Sequence, residues 1–251
     1  MDRVLYAVKD GIATVTLNRP SRLNAIDTGL LEGLNAALAH AAEAPDVDVI
    51  LLEGSGRAFC AGDDLEEFET LPINRQIIER FNERLQLVTR QLMLGPKPVV
   101  CAAQGWIVGG GAAWPLNADF CVAADDATLF CPEAGFGLFP SGGVTILMAE
   151  RCGPALANEI LWLKKKLNAA ELLAARLVSR VVPRAEMAEE ALALAQAIRA
   201  LPEGSRRRFK EARANDIRAR LERALDFEAA CCVESALDAS VRDRTSAALR
   251  S

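Results

Sequence analysis

A single histidine, His40, serves the whole 251-residue chain, and it sits in an Ala-rich stretch that reads as an exposed helix face. A Ser-His-Asp or Cys-His mechanism would have to be built on that one residue, so nucleophilic catalysis of that kind is not expected. The seven cysteines (Cys60, Cys101, Cys121, Cys131, Cys152, Cys231 and Cys232) are odd in number, and no pair has Cys-x-x-Cys spacing. They read as reduced, mostly buried thiols, which excludes a disulfide framework and a zinc site, and no metal is expected. No apolar run approaches the roughly 20 residues that cross a bilayer. The start, Met1-Asp2-Arg3-Val4, lacks a signal-peptide pattern, so a cytoplasmic protein with no membrane partner is expected. A net charge of −5 argues against a general nucleic-acid binder. Neither Gly-x-x-x-x-Gly-Lys-Ser/Thr nor a Gly-x-Gly-x-x-Gly after a strand occurs, which weakens phosphate-loop and dinucleotide readings.

What is present is a globular composition, 51% hydrophobic, in which strand-like and helix-like runs alternate. Val4 to Val8 and Ile12 to Leu17 flank Lys9-Asp10-Gly11, a hairpin signal. Asp27 can cap a helix whose Leu30, Leu31, Leu34 and Leu38 recur at helical spacing. Val49 to Leu52 is apolar without alternation and reads as a strand covered on both faces. A long amphipathic helix carries Ile77, Ile78, Phe81, Leu85, Val88 and Leu92 on its buried stripe. Further strands are expected at Val99 to Ala103, Asp119 to Ala123, Thr128 to Cys131 and Val178 to Val182. A helix is expected over Ala185 to Ala200, and beyond Pro202 only helix. The pattern predicts an α/β core over 1–200 and a C-terminal helical appendage over 201–251.

The stretch around Gly109-Gly110-Gly111 follows the apolar run from Val99 and opens a helix-compatible segment. Three glycines are a poor way to build a helix. Two uses account for them: backbone N–H groups laid bare against an anion, or backbone packed closely on backbone. The segment Ala61-Gly62-Asp63-Asp64-Leu65 is a second glycine-containing turn after a β-run. Two N–H groups converging on one oxygen from these turns would make an oxyanion hole.

Five segments in order resemble the crotonase, or enoyl-CoA hydratase/isomerase, superfamily. They are Asn18-Arg19-Pro20 with Leu23-Asn24-Ala25; Ala58 to Leu65; Gly105 with Gly109-Gly110-Gly111; Pro132-Glu133 with Gly137 and Pro140-Ser141-Gly142-Gly143; and Gly153-Pro154-Ala155 through Leu177-Val178. Any one is modest support, but their order and spacing are specific. The resemblance implies a crotonase-like spiral of β-β-α units and a C-terminal helical trimerisation region that assembles homotrimers or hexamers. It also implies an acyl-CoA thioester as substrate, with no separate cofactor because coenzyme A enters as part of the substrate.

By position, the family's two anion-binding N–H groups fall on Asp63 and Gly110, and its acid/base carboxylate on Glu133. Substrate contacts fall on Arg22, Leu23 and Ala25 in the first loop and on Ala61, Gly62 and Leu65 in the second. They continue with Gly109, Ala113 and Trp114, and then Phe136 and Ser141. Pocket walls are expected to include Trp106, Trp114, Phe136 and Phe139. The family's hydratases carry a second glutamate where this chain has Ala113, and the single Glu133 is similar to the pattern of Δ3,Δ2-enoyl-CoA isomerases. A double-bond shift is therefore expected ahead of hydration, of another thioester reaction, or of a catalytically decayed CoA-ester or RNA-binding protein.

Several residues keep a second use. Glu133 could cap local N–H groups, and the side chain of Asp63 is taken as an incidental carboxylate near a helix start. Arg22 could meet the pyrophosphate or be an ordinary surface arginine. Lys164-Lys165-Lys166 and the run from Arg206 to Arg223 could meet phosphate or simply be solvated faces.

Overall fold

The computed structural model describes residues 2–70 and 74–250. In chain order the elements are β1 (Val4–Lys9), β2 (Ile12–Leu17), α1 (Thr28–Glu43), β3 (Val49–Gly54), α2 (Leu65–Thr70), α3 (Arg75–Leu94), β4 (Val99–Ala103), β5 (Trp106–Val108) and α4 (Gly110–Asn117). There follow β6 (Phe120–Ala124), β7 (Thr128–Phe130), α5 (Glu133–Phe136), α6 (Val144–Cys152), α7 (Pro154–Leu161), β8 (Leu167–Asn168), α8 (Ala169–Ala174), β9 (Arg180–Val182), α9 (Met187–Arg199), α10 (Glu203–Leu237) and α11 (Ala239–Arg250).

The Asp10-Gly11 pair, both at positive φ, closes the β1–β2 hairpin on a register that pairs Lys9 with Ile12. This is the turn whose twist suits a two-residue hairpin loop. From β2 onward the main sheet is parallel, in the order β1-β2-β3-β4-β6-β9. Strand β3 shows why its apolar run does not alternate. Ile50 and Leu52 enter the large core with α1, while Val49 and Leu51 enter a second cluster with Met187, Ala191, Leu194 and Ala195 of α9. Both faces are covered, as parallel strands require. Asp27 caps α1 as expected, accepting from the Leu30 N–H at 2.7 Å.

At Gln104-Gly105 the chain leaves β4 of the main sheet and enters β5 of a second sheet, ordered β5-β7-β8. An isolated bridge joins Cys60 to Ile107, so the turn after Cys60 and the turn after Val108 emerge side by side. That junction positions the candidate site.

The helical tail is more than an appendage. Helix α10 runs along α3, where Gln86 donates to the Leu225 carbonyl at 2.7 Å and Arg90 pairs with Glu222 at 2.8 Å. Buried Glu228 accepts from the N–H groups of Gly143 and Thr145 at 2.7 and 3.1 Å, which anchors α10 to the start of α6. The basic run is largely engaged within the chain: Arg206 with Asp48, Arg207 with Glu211, Lys210 with Asp119, and Arg220 with Glu150. His40 lies exposed with its ring edge-on to Tyr6, and all seven cysteines are free. Among the described residues no cluster suits a metal ion, and no helix is long and apolar enough to cross a membrane.

Candidate active site

The first turn is held by strand-like alternation. The Ile26 N–H donates to Gly62 O at 2.8 Å, and the Asp64 N–H donates to Ile26 O at 2.9 Å. Successive residues of an extended chain point their amides to opposite sides. Asp63 therefore presents its N–H away from Ile26, and among the described residues nothing accepts from it. Buried Asn24 fastens the loop from beneath, donating to the carbonyls of Ser55, Ala58 and Phe59 and accepting from the Arg19 N–H. Arg19 and Arg22 converge on the side chain of Asp64, at 2.9 and 3.2 Å.

The glycine triplet serves both of the uses left open by the sequence. A Cβ on Gly111 would come within 2.5 Å of Cys60 Sγ, so this glycine exists for close packing. Gly109 has φ +55° and Gly62 has φ +83°, and a Cβ on Gly62 would lie 3.1 Å from Val108 O and 3.6 Å from Gly109 Cα. The two turns thus meet backbone against backbone. Gly110 begins α4, whose N-terminus has no side-chain cap, and its N–H has no acceptor among the described residues. The free N–H groups of Asp63 and Gly110 each follow one of the two touching glycines. An anion of one-atom breadth is what such a pair can hold.

Glu133 opens α5 directly after β7, and its Oε1 lies 3.5 Å from the Cβ position of Gly109. Its carboxyl accepts from its own backbone N–H, and its Oε2 is buried without a hydrogen-bond partner among the described residues. Removal from water pushes this carboxyl up to about 7, and the charge of Asp63 adds to the rise. Asp63 itself is pushed up to about 6, chiefly by desolvation and then by the charge of Glu67. Asp63 is exposed where it lines the cavity.

The cavity is about 120 Å³ and apolar over most of its wall. Of the residues expected from sequence, it brings together Asp63, Leu65, Gly110, Glu133 and Ser141. Ser141 is presented by a turn whose next carbonyl, Gly142 O, accepts from Thr89 and Asn117 at 3.2 Å each. Leu23, Ala25, Ala61, Gly62 and Gly109 are not among the residues that line the cavity. Ala113 is fully buried and packs on Gly142, and Trp114 is fully buried edge-on to Phe59, in the core rather than on the wall. Arg22 is held by Asp64 and Glu66. Of the four expected aromatic walls only Phe139 lines the cavity. Trp106 lies under the Lys166 ammonium instead, and the Phe136 carbonyl accepts from Arg244.

The apolar walls were not visible in the site motifs. Ile77, Ile78, Phe81, Asn82 and Leu85 come from α3, and Cys232 and Ala236 come from α10. The buried stripe of α3 was evident, but periodicity does not say whether a stripe faces core or ligand. Nothing in the sequence of α10 signals that it reaches across to the turns at Gly62 and Gly109.

Two N–H donors beside a buried carboxylate are the parts that proton abstraction next to a carbonyl requires: donors for the forming oxyanion and a carboxylate to exchange the proton.

A family model described as enoyl-CoA hydratase/isomerase matches residues 7–247. A probable mitochondrial enoyl-CoA hydratase of Dictyostelium discoideum is 35% identical over 192 residues, 76% of this chain and 67% of its own. A 1,2-epoxyphenylacetyl-CoA isomerase of Escherichia coli is 32% identical over 80% of this chain and 78% of its own. The crystal structure of a probable enoyl-CoA hydratase from Mycobacterium smegmatis superposes with a TM-score of 0.84 at 32% identity, covering 94% of this chain and 95% of that one.

Proposed function

The chain belongs to the enoyl-CoA hydratase/isomerase family and is an acyl-CoA enzyme of that kind; within it, we propose that this enzyme shifts a carbon–carbon double bond, converting a 3-enoyl-CoA to its 2-enoyl isomer. The carrying observation is that Glu133 faces the cavity while Ala113, two residues past the glycine triplet, is buried against Gly142. One carboxylate is enough for this reaction.

In this reading the thioester oxygen sits between the Asp63 and Gly110 N–H groups, and Glu133 faces C2. Glu133 takes a proton from C2, and the electron pair delocalises through C1 onto the oxygen. The dienolate then collapses with proton delivery at C4, leaving the double bond between C2 and C3. The Asp63 and Gly110 N–H groups carry the charge at its greatest, and removing one such donor costs about 10²–10³ in rate. The apolar faces of α3 and α10 exclude water, which keeps both the donors and Glu133 effective. Arg22, paired with the cavity-lining Asp64, would meet a coenzyme A phosphate after partly leaving Glu66.

Hydration of a 2-enoyl-CoA is the second reading, favoured by the hydratase names of several relatives. Purified protein given a 3-enoyl-CoA and a 2-enoyl-CoA in parallel ultraviolet assays separates the two. Conversion of the 3-enoyl ester with little loss of the 2-enoyl chromophore is expected, and rapid loss of that chromophore from the 2-enoyl ester overturns the isomerase reading.

A further inference from the structure

The carboxyl group of Asp63 was expected to be incidental to its N–H, yet it lies in the cavity. A Cβ on Gly110 would lie 3.2 Å from Asp63 Oδ1, and a Cβ on Gly109 would lie 3.5 Å from Glu133 Oε1. The Gly109–Gly110 peptide is thus flanked by two carboxyl groups. Among the described residues neither has a cation beside it, although Arg19 and Arg22 reach the adjacent Asp64. The same wall holds the nine-tenths buried Asn82 and Ser141, whose Oγ is buried without a hydrogen-bond partner among the described residues. This polar lining is therefore available to a ligand.

Resting on the double-bond shift above, the geometry points to Asp63 as a second catalytic group: protonated, it delivers the proton to C4 after Glu133 has removed one from C2. The charges balance. Glu133 gains the C2 proton, the pair from that C–H bond enters the dienolate, and the C3–C4 π pair takes the proton of Asp63 as the C2–C3 double bond forms. Asp63 is left ionised and Glu133 protonated, and exchange with solvent restores both. No co-reactant is needed.

Charge supplies an independent reason for the protonated form. An ionised carboxylate on the residue whose N–H stabilises the oxyanion would oppose the charge the hole exists to hold. The titratable groups that act on Asp63, or on which it acts, are Glu67 of α2, Glu133 of α5, Cys232 of α10 and Cys60. All are acidic groups, so none of them favours its ionisation. Glu133 and Asp63 titrate as a pair; with Glu133 pushed up to about 7 and Asp63 to about 6, the working state, Glu133 ionised with Asp63 neutral, is the minor of the two singly protonated forms.

The test uses a 3-enoyl-CoA dideuterated at C2, in ordinary water, with the product read by mass spectrometry. Delivery by Asp63 predicts solvent hydrogen at C4, whereas return by Glu133 alone predicts deuterium carried from C2 to C4. Predominant carry-over overturns the proposal. Asp63→Asn and Asp63→Ala both keep the backbone N–H, so they remove only the carboxyl group. Each is expected to lower kcat by about 10²-fold or more, to lose the alkaline limb of the pH profile, and to show carry-over in what turnover remains. Asp63→Glu is expected to recover part of the rate. Unchanged kcat and pH profile in Asp63→Asn, beside an inactive Glu133→Gln, overturn the role of Asp63 alone. A wild-type enzyme that turns over no 3-enoyl-CoA overturns the double-bond shift and this proposal together.

Discussion

Asp63 and Asp64 share a peptide bond, yet Asp64 accepts from Arg19 and Arg22 at 2.9 and 3.2 Å while Asp63 faces the cavity with no cation beside it among the described residues. Burial alone would raise Asp64. The hydrogen bond from Arg19, the Glu67 N–H and the Arg22 charge overcome it and hold that carboxyl below the usual range. Asp63 lacks those partners and is pushed up to about 6. Alternation along the extended segment separates the two, as one amide bonds Ile26 and the other does not. The pair shows how little sequence distance divides a carboxylate held by arginines from one that faces a cavity. Glu133 belongs with Asp63, since it too lines the cavity without a cation beside it among the described residues and its carboxyl is raised.

The reactive side of the contrast breaks most completely with Glu133→Gln, which should lower turnover by about 10²–10⁴-fold. In the unaltered enzyme the rate should fall as pH drops below about 7, because Glu133 then holds its proton. Normal turnover by the variant would remove Glu133 from the chemistry.

The stabilising side breaks with Asp64→Asn, which removes the shared carboxylate but leaves Arg19 paired with Asp27 and Arg22 with Glu66. A loss of about 1–3 kcal/mol in denaturant unfolding at neutral pH is expected. Because the folded-state pKa of Asp64 is lowered, its contribution is present above the unfolded value and is lost as pH falls through the folded one. The deficit should therefore shrink in acid, and a deficit unchanged with pH would mean that packing, not charge, holds the loop.

The two sides are set directly against each other by the stability of Glu133→Gln. A raised folded pKa means the native state binds the extra proton, so the site costs stability as pH rises from the ordinary 4.5 towards about 7. The variant should be more stable than the parent at pH 8, by on the order of 1–3 kcal/mol, and equal to it near pH 4. Thermal melts at the two pH values check this, and equal melts at pH 8 would place Glu133 in contact with water.

The smallest effect is expected at Arg22, whose side chain is 41% exposed in its pairs with Asp64 and Glu66. Arg22→Ala should cost less than about 1 kcal/mol of stability and raise KM for an acyl-CoA more than for an acyl-pantetheine. An equal rise for both would leave Arg22 to the Asp64 cluster alone.

Much of this organisation was legible in residues. The hairpin at Asp10-Gly11, the Asp27 cap and the doubly covered β3 follow from local propensity and from how apolar residues recur. The two turns at Gly62 and Gly109 were also evident, because only glycine allows positive φ and backbone-on-backbone contact cheaply. The cavity wall was less so. Trp114 carries the aromatic character of a pocket residue but is buried on Phe59, while Cys232 and Ala236 cross from α10 to the cavity. Side-chain type says what a residue can touch, but not which element the chain will bring to it.

By itself the sequence determined the alternation of strands and helices, the bare backbone at two glycine turns, and the presence of Glu133 with Ala113 in place of a second glutamate. Those features are local, set by backbone freedom and by the chemistry of single side chains. The tertiary structure alone decided that the turns touch at Gly62 and Gly109, that α3 and α10 wall the cavity, and that Asp63 rather than Asp64 faces it. The physical reason is that pairing and desolvation arise between segments far apart in the chain, and they set whether a carboxyl group binds an arginine or holds a proton.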